Sequence, residues 1–255
     1  MLLNGWSAPG VAWPRSWIRE LHRDFRVIRV DNRGAGWSRF APTPFTMRDL
    51  AEDVASVLDE AGIERALVLG FSMGGMIAQE LAMWAPERVA GLVLVSTAPP
   101  LPAYRPASGG LAALALFRPP LPGQSLESYF QRLWMAAAAP GFQVRDPEMV
   151  RELVAQLADR PTPRWLVLHQ LRAVFGWGHA ERLAAIAIPT TVVHGAQDRL
   201  VEPAAGRRLA ELIPGAQFRA LPHAGHLVPF EAPGALRSSL LDINGGLGST
   251  DRLVE

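Results

Sequence analysis

Apolar residues fall along this chain in two alternating patterns. Ala66–Leu69 and Val89–Val95 are almost continuously apolar, as expected of strands buried on both faces. Arg26–Asp31, Thr190–Val193 and Phe218–Leu221 predict three further strands. Between them, apolar side chains recur every three or four positions. Over Thr46–Ala61 the set is Leu50, Val54, Val57, Leu58 and Ala61, with Thr46 placed to cap, Asp49 in the first turn and Gly62 placed to end the helix. Ser72–Ala85, stopped by Pro86, about Pro203–Leu212 and about Pro233–Ile243 predict three more helices. Strands separated by helices imply parallel pairing through right-handed crossovers, so the fold class is α/β with a mostly parallel, doubly wound sheet.

One region breaks the alternation. From Ala98 to Ile188 no strand is predicted, and helical patterns appear near Ser125–Ala138, Pro147–Ala158 and Arg164–Phe175. A helical insertion between two strands of an open α/β sheet is expected over the strand ends, where such sheets bind ligands. The expected organisation is therefore a core of residues 1–97 and 189–244, a helical lid of residues 98–188, and a frayed polar tail of residues 245–255.

Composition narrows the chemistry. With 25 basic and 24 acidic residues, the net charge of +1 supplies no electrostatic reason to expect nucleic acid or an anionic membrane as a partner. All the basic residues are Arg, which excludes lysine chemistry such as Schiff bases. The chain has no Cys, so disulfides, Cys–metal sites and a thiol nucleophile are excluded. No apolar run is long enough to span a bilayer, and the N-terminus lacks the basic and apolar regions of a signal peptide. The expected location is the cytoplasm.

Against that background, Gly70-Phe71-Ser72-Met73-Gly74 stands out between a predicted strand and a predicted helix. A strand-to-helix turn this tight strains its central residue and needs small neighbours two positions either side. The pattern G-x-S-x-G in that context marks a nucleophile elbow. A serine needs a base held by an acid, and for this elbow the chain order is Ser, acid, His. Asp198 follows the strand that begins at Thr190, and His226 follows the strand near Phe218–Leu221, so all three are expected at one sheet edge. Alone, Asp198 would read as a turn or capping residue before Pro203, and His223 as a surface residue beside His226. His22, His169, His179 and His194 read as structural or exposed.

With those residues in hand, the sequence resembles the α/β-hydrolase superfamily. The motifs that carry the resemblance are Asn4-Gly5-Trp6, Asp31-Asn32-Arg33-Gly34-Ala35-Gly36-Trp37-Ser38, the elbow, Gly195-Ala196-Gln197-Asp198 and Ala224-Gly225-His226. The stretch from Gly70 to Gln79 is most similar to the esterase, enol-lactonase and cofactor-free haloperoxidase branches. The resemblance implies an oxyanion hole built from the backbone N–H groups of Trp6 and Met73. It also implies that Asp31 and Arg33 tie a strand end to its loop. Many relatives have His-Gly where this chain has Asn4-Gly5, and they begin with a β-hairpin that has no counterpart before Met1, which suggests a start further upstream.

The expected activity is hydrolysis of a small to medium, largely apolar carboxylic ester or lactone by Ser72, Asp198 and His226 through an acyl-enzyme, with no metal or organic cofactor. Phe71, Trp134 and Trp177 are expected to line the substrate pocket. The alternatives are a perhydrolase, a C–C bond hydrolase, and a ligand-binding or signalling member of the fold that turns over slowly. Dehalogenases and related epoxide hydrolases use Asp at the elbow, so Ser72 argues against both. The oligomeric state is left open.

Overall fold

A computed structural model of the chain describes residues 1–38, 43–104, 123–142, 148, 151, 154–155 and 163–247. Six strands form one sheet in the order β2-β1-β3-β4-β5-β6. They are β1 (Leu2–Leu3), β2 (Arg29–Val30), β3 (Ala66–Phe71), β4 (Val89–Val95), β5 (Thr190–Gly195) and β6 (Gln217–Leu221). Every neighbouring pair is parallel. The described helices are α1 (Arg15–Leu21), α2 (Met47–Glu60), α3 (Met73–Trp84), α4 (Leu126–Ala137), α5 (Arg164–Phe175), α6 (Pro203–Leu212), α7 (Val228–Glu231) and α8 (Pro233–Gly246).

The apolar strands feed two cores, because successive side chains point to opposite faces. Val68, Leu92, Leu94 and Val192 join α2, α3 and α6 on one side. Leu67, Leu69, Phe71, Val93, Val95 and Val193 join α1 and α8 on the other. The expected cap of α2 forms as a capping box: Asp49 N–H donates to Thr46 Oγ1 at 3.2 Å, and Thr46 N–H donates to Asp49 Oδ2 at 2.7 Å.

Two elements depart from expectation. The strand predicted over Arg26–Asp31 pairs only at Arg29 and Val30, because its one partner, β1, offers two residues to the ladder. The last helix continues through Gly246, into the stretch read as a tail; the remainder of that tail from 248 onward lies outside the described residues. Between β4 and β5 the described residues contain α4 and α5 and no strand. Most of the helix expected near Pro147–Ala158 lies outside them. Among the described residues no helix is long and apolar enough to cross a membrane.

The sheet centre is set by how closely α3 crosses the strands beneath it. A Cβ on Gly74 would sit 2.2 Å from Leu3 O, and one on Gly70 would sit 2.4 Å from Gly74 O. No side chain fits at either position, which explains both glycines of the elbow. Gly74→Ala should therefore destabilise the protein by about 1–3 kcal/mol, since the obstructing atom is backbone. Gly234→Ala, at an open position in α8, should be neutral or stabilising by up to about 1 kcal/mol. Urea unfolding of the two variants would check the contrast.

Candidate active site

Ser72 stands where β3 meets α3, with φ +54° and ψ −119°. A non-glycine residue adopts this conformation only when its surroundings over-determine it. Those constraints are visible: Ser72 N–H donates to Val95 O at 2.9 Å, and Thr97 Oγ1 donates to Ser72 O at 2.7 Å. The serine is thus fastened to the end of β4 on both sides of its Cα. Met73 is the first residue of α3, so its N–H has no acceptor in the preceding turn of that helix.

Ser72, Asp198 and His226 meet at the C-terminal edge of the sheet. His226 Nε2 lies 3.1 Å from Ser72 Oγ, and His226 Nδ1 lies 2.8 Å from Asp198 Oδ2. Asp198 is buried, and its carboxylate is surrounded by donors. The N–H groups of Leu200 and Val201 donate to Oδ1 at 2.8 and 2.9 Å. Burial would push this carboxyl up, but the charge of the His226 imidazole and the hydrogen bonds of His194 and His226 outweigh it, holding the group well below the usual carboxylate range.

His194 is the residue that sequence reasoning undervalued. Its side chain is fully buried, with Nε2 2.9 Å from Val201 O and 3.2 Å from Asp198 Oδ2. Two oxygens face Nε2, so that nitrogen carries the proton. Nδ1 is buried and meets no hydrogen-bond partner among the described residues. The readable signal was a histidine directly after Val192-Val193 in a predicted strand, every position of which proves to be buried. His22, His179 and His223 are exposed, and His169 stacks on Phe45 with ring centroids 5.9 Å apart.

The loop carrying His226 is held by the insertion. His226 N–H donates to Ala137 O at 2.8 Å, at the end of α4. Glu231 accepts from Gly225 N–H at 3.0 Å and from Ala139 N–H at 2.6 Å. A Cβ on Gly225 would lie 2.5 Å from Ala139 N, so this approach also requires glycine.

The Asn4–Pro9 loop lies on the other side of Ser72. A Cβ on Gly5 would be 3.3 Å from Ser72 Cβ, which brings Trp6 beside the serine. Asn4 is buried and shapes the loop, accepting from Gly5 N–H at 2.8 Å and donating to Pro9 O at 3.0 Å. Asp31 accepts from Gly10 N–H at 2.5 Å and Trp37 N–H at 2.8 Å, and Arg33 forms a bidentate pair with Asp53. Asp31 therefore joins the end of β2 to two loops, whereas Arg33 departs from expectation and fastens the loop after β2 to helix α2.

The aromatic residues separate. Phe71 packs on His226, with ring centroids 5.1 Å apart. Trp134 packs on Phe230 at 4.9 Å, within the same apolar cluster as Phe71. Trp177 departs from expectation. Its indole N–H donates to buried Glu80 at 3.0 Å, and it lines a cleft of about 490 Å³ with Phe45, Arg48 and Arg172 that none of Ser72, Asp198 and His226 touches. A buried carboxylate drew its polar edge toward α3.

A family model described as "alpha/beta hydrolase fold" matches residues 1–233. The chain belongs to the alpha/beta hydrolase fold family. It is a hydrolase, and relatives that it resembles carry hydrolase names. One, from Azorhizobium caulinodans, carries the name of a carbamate hydrolase and is 29% identical over 246 residues, 96% of this chain and 91% of that one. A pimeloyl-[acyl-carrier protein] methyl ester esterase of Aeromonas hydrophila is 32% identical over 234 residues, covering 90% and 88% of the two chains. Among solved structures, a hydrolase from Pseudomonas aeruginosa superposes with a TM-score of 0.75 at 31% identity, covering 96% of this chain and 89% of that one.

The depressed carboxyl of Asp198 has a consequence for stability. Its folded value lies below the unfolded value of 3.8, so it contributes stability that is fully present above 3.8 and is lost as pH falls through the folded value. Asp198→Asn removes this contribution. The stability gap between the native protein and the variant should stay constant from about pH 7 to about pH 4 and narrow as pH is lowered from about 4 to about 2, which urea titrations at each pH would measure. A gap that does not narrow would mean that folding does not depress the Asp198 carboxyl.

Proposed function

We propose that this hydrolase cleaves a carboxylic ester or lactone of small to medium size through an acyl-enzyme on Ser72. The observation that carries the reading is the continuous hydrogen-bonded line Asp198–His226–Ser72, at 2.8 and 3.1 Å, ending on a serine raised on a strained turn.

His226 Nε2 takes the Ser72 Oγ proton as Oγ bonds to the substrate carbonyl carbon. The resulting oxyanion is met by the N–H groups of Met73 and Trp6, and each such donor is worth about 3–4 kcal/mol of barrier. The tetrahedral adduct collapses, the bond to the leaving oxygen breaks, and His226 returns the proton to that oxygen. Water, deprotonated by the same nitrogen, then attacks the acyl carbon and frees Ser72. Asp198 keeps Nδ1 protonated and balances the imidazolium. The helices between β4 and β5 roof the site, a reading supported by the bonds from His226 N–H to Ala137 and from Ser7 N–H to Gln170. The apolar rings of Phe71 and Trp134 favour an apolar acyl group.

The test is labelling by a fluorophosphonate together with turnover of p-nitrophenyl esters of increasing chain length, with a p-nitrophenyl carbamate in the same panel. Sustained ester turnover and labelling are expected. Ser72→Ala should lose both, with kcat falling by about 10⁴-fold or more. Labelling with a single burst would point to an acceptor other than water or to a slow ligand-binding protein. A folded native protein that is never labelled would overturn the assignment of Ser72.

A further inference from the structure

The backbone around Trp6 is closely accounted for. Gly5 N–H donates to Asn4 Oδ1 at 2.8 Å, and Ala8 N–H donates to Gly5 O at 3.2 Å. The remaining neighbour, Ser7, sits in the left-handed region with φ +57°. A serine is strained there unless something outside the turn holds it. Its N–H donates at 3.0 Å to Gln170 Oε1, from a residue 163 positions away on α5.

Gln170 is unusual for its place. It shares one helix face with Leu166 and Ala173, and all three are buried, Gln170 at 0% exposure. Leu166 and Ala173 pack into the core beside α2 and α3, while Gln170 supplies an amide. Only its oxygen is used: Nε2 is buried and meets no acceptor among the described residues. The Ser7 N–H fixes which end of the amide faces the loop. A buried unpaired donor is costly, so an apolar side chain here would serve packing better. The amide is explained by its oxygen, which accepts from Ser7 N–H at 3.0 Å and, more weakly, from Ser7 Oγ at 3.5 Å.

We infer that Gln170 is a positioning residue that fixes the Trp6 N–H relative to Ser72, so that the oxyanion site is complete only while α5 is seated on the core. The inference rests on the reaction proposed above. Gln170 touches no reacting atom. It holds Ser7 in its left-handed turn, Ser7 orients the Trp6 peptide, and that peptide faces the carbonyl oxygen of the bound substrate. The insertion thereby acts on the rate of the chemical step as well as on access.

The experiment compares native protein, Gln170→Leu and Gln170→Glu for kcat and KM on p-nitrophenyl butyrate, for the rate of fluorophosphonate labelling, and for thermal stability. A displacement of about 1 Å in a positioning group costs up to about 100-fold. Gln170→Leu should therefore lower kcat and the labelling rate by about 10- to 100-fold, with KM changed by less than about threefold. Gln170→Glu, which keeps an acceptor oxygen, should recover most of that loss. Full kcat and labelling in a folded Gln170→Leu would overturn the inference while leaving the proposed reaction standing. So would a loss that follows thermal stability and is equal in both variants, which would make Gln170 a packing residue. If native protein is neither labelled nor turns over ester, the reaction itself fails, and the inference with it.

Discussion

The structure depends on a backbone approach that leaves no room for a side chain. Helix α3 crosses β3 and β1 so closely that a Cβ at Gly70 or Gly74 would lie within 2.4 Å of a carbonyl oxygen. That approach lets the chain reverse from strand to helix within a single residue, and Ser72 is left standing at φ +54° at the strand end. With a looser crossing the serine would relax into ordinary helix geometry and its Oγ would turn away from His226. The two cores on either face of the sheet supply the packing that holds the crossing closed.

The second constraint is electrostatic. Asp198 is a buried carboxylate, and an isolated charge in that environment would be too costly to keep. Leu200 and Val201 satisfy one oxygen, and His226 and His194 face the other. The backbone pair comes from the turn after β5, so acid and turn fold as a unit. His194 ties the same turn back to the strand through Val201 O. The orientation of His226 is therefore inherited from a network that reaches well into the sheet.

The helices between β4 and β5 hold the loops beside Ser72. The end of α4 accepts the His226 N–H and crowds Gly225, and α5 accepts the Ser7 N–H. Both loops beside Ser72 thus have hydrogen bonds both to the core and to the segment between β4 and β5.

How much of this was legible in the sequence follows from the range of each interaction. Apolar periodicity and capping predicted five of the six strands, four of the helices that pack on the sheet and the strand-free stretch between β4 and β5, because those signals are local. Ser72, Asp198 and His226 were also legible, since each follows a strand and parallel strands bring their C-terminal ends to one edge. The shortened β2, the approach of His194 to Asp198, the bond from Ser7 to Gln170 and the turning of Trp177 toward Glu80 were decided only by tertiary structure. Each depends on a partner from another element or on the direction of a buried polar group. Local pattern says that such a residue is buried; only the assembled fold determines which acceptor it can reach.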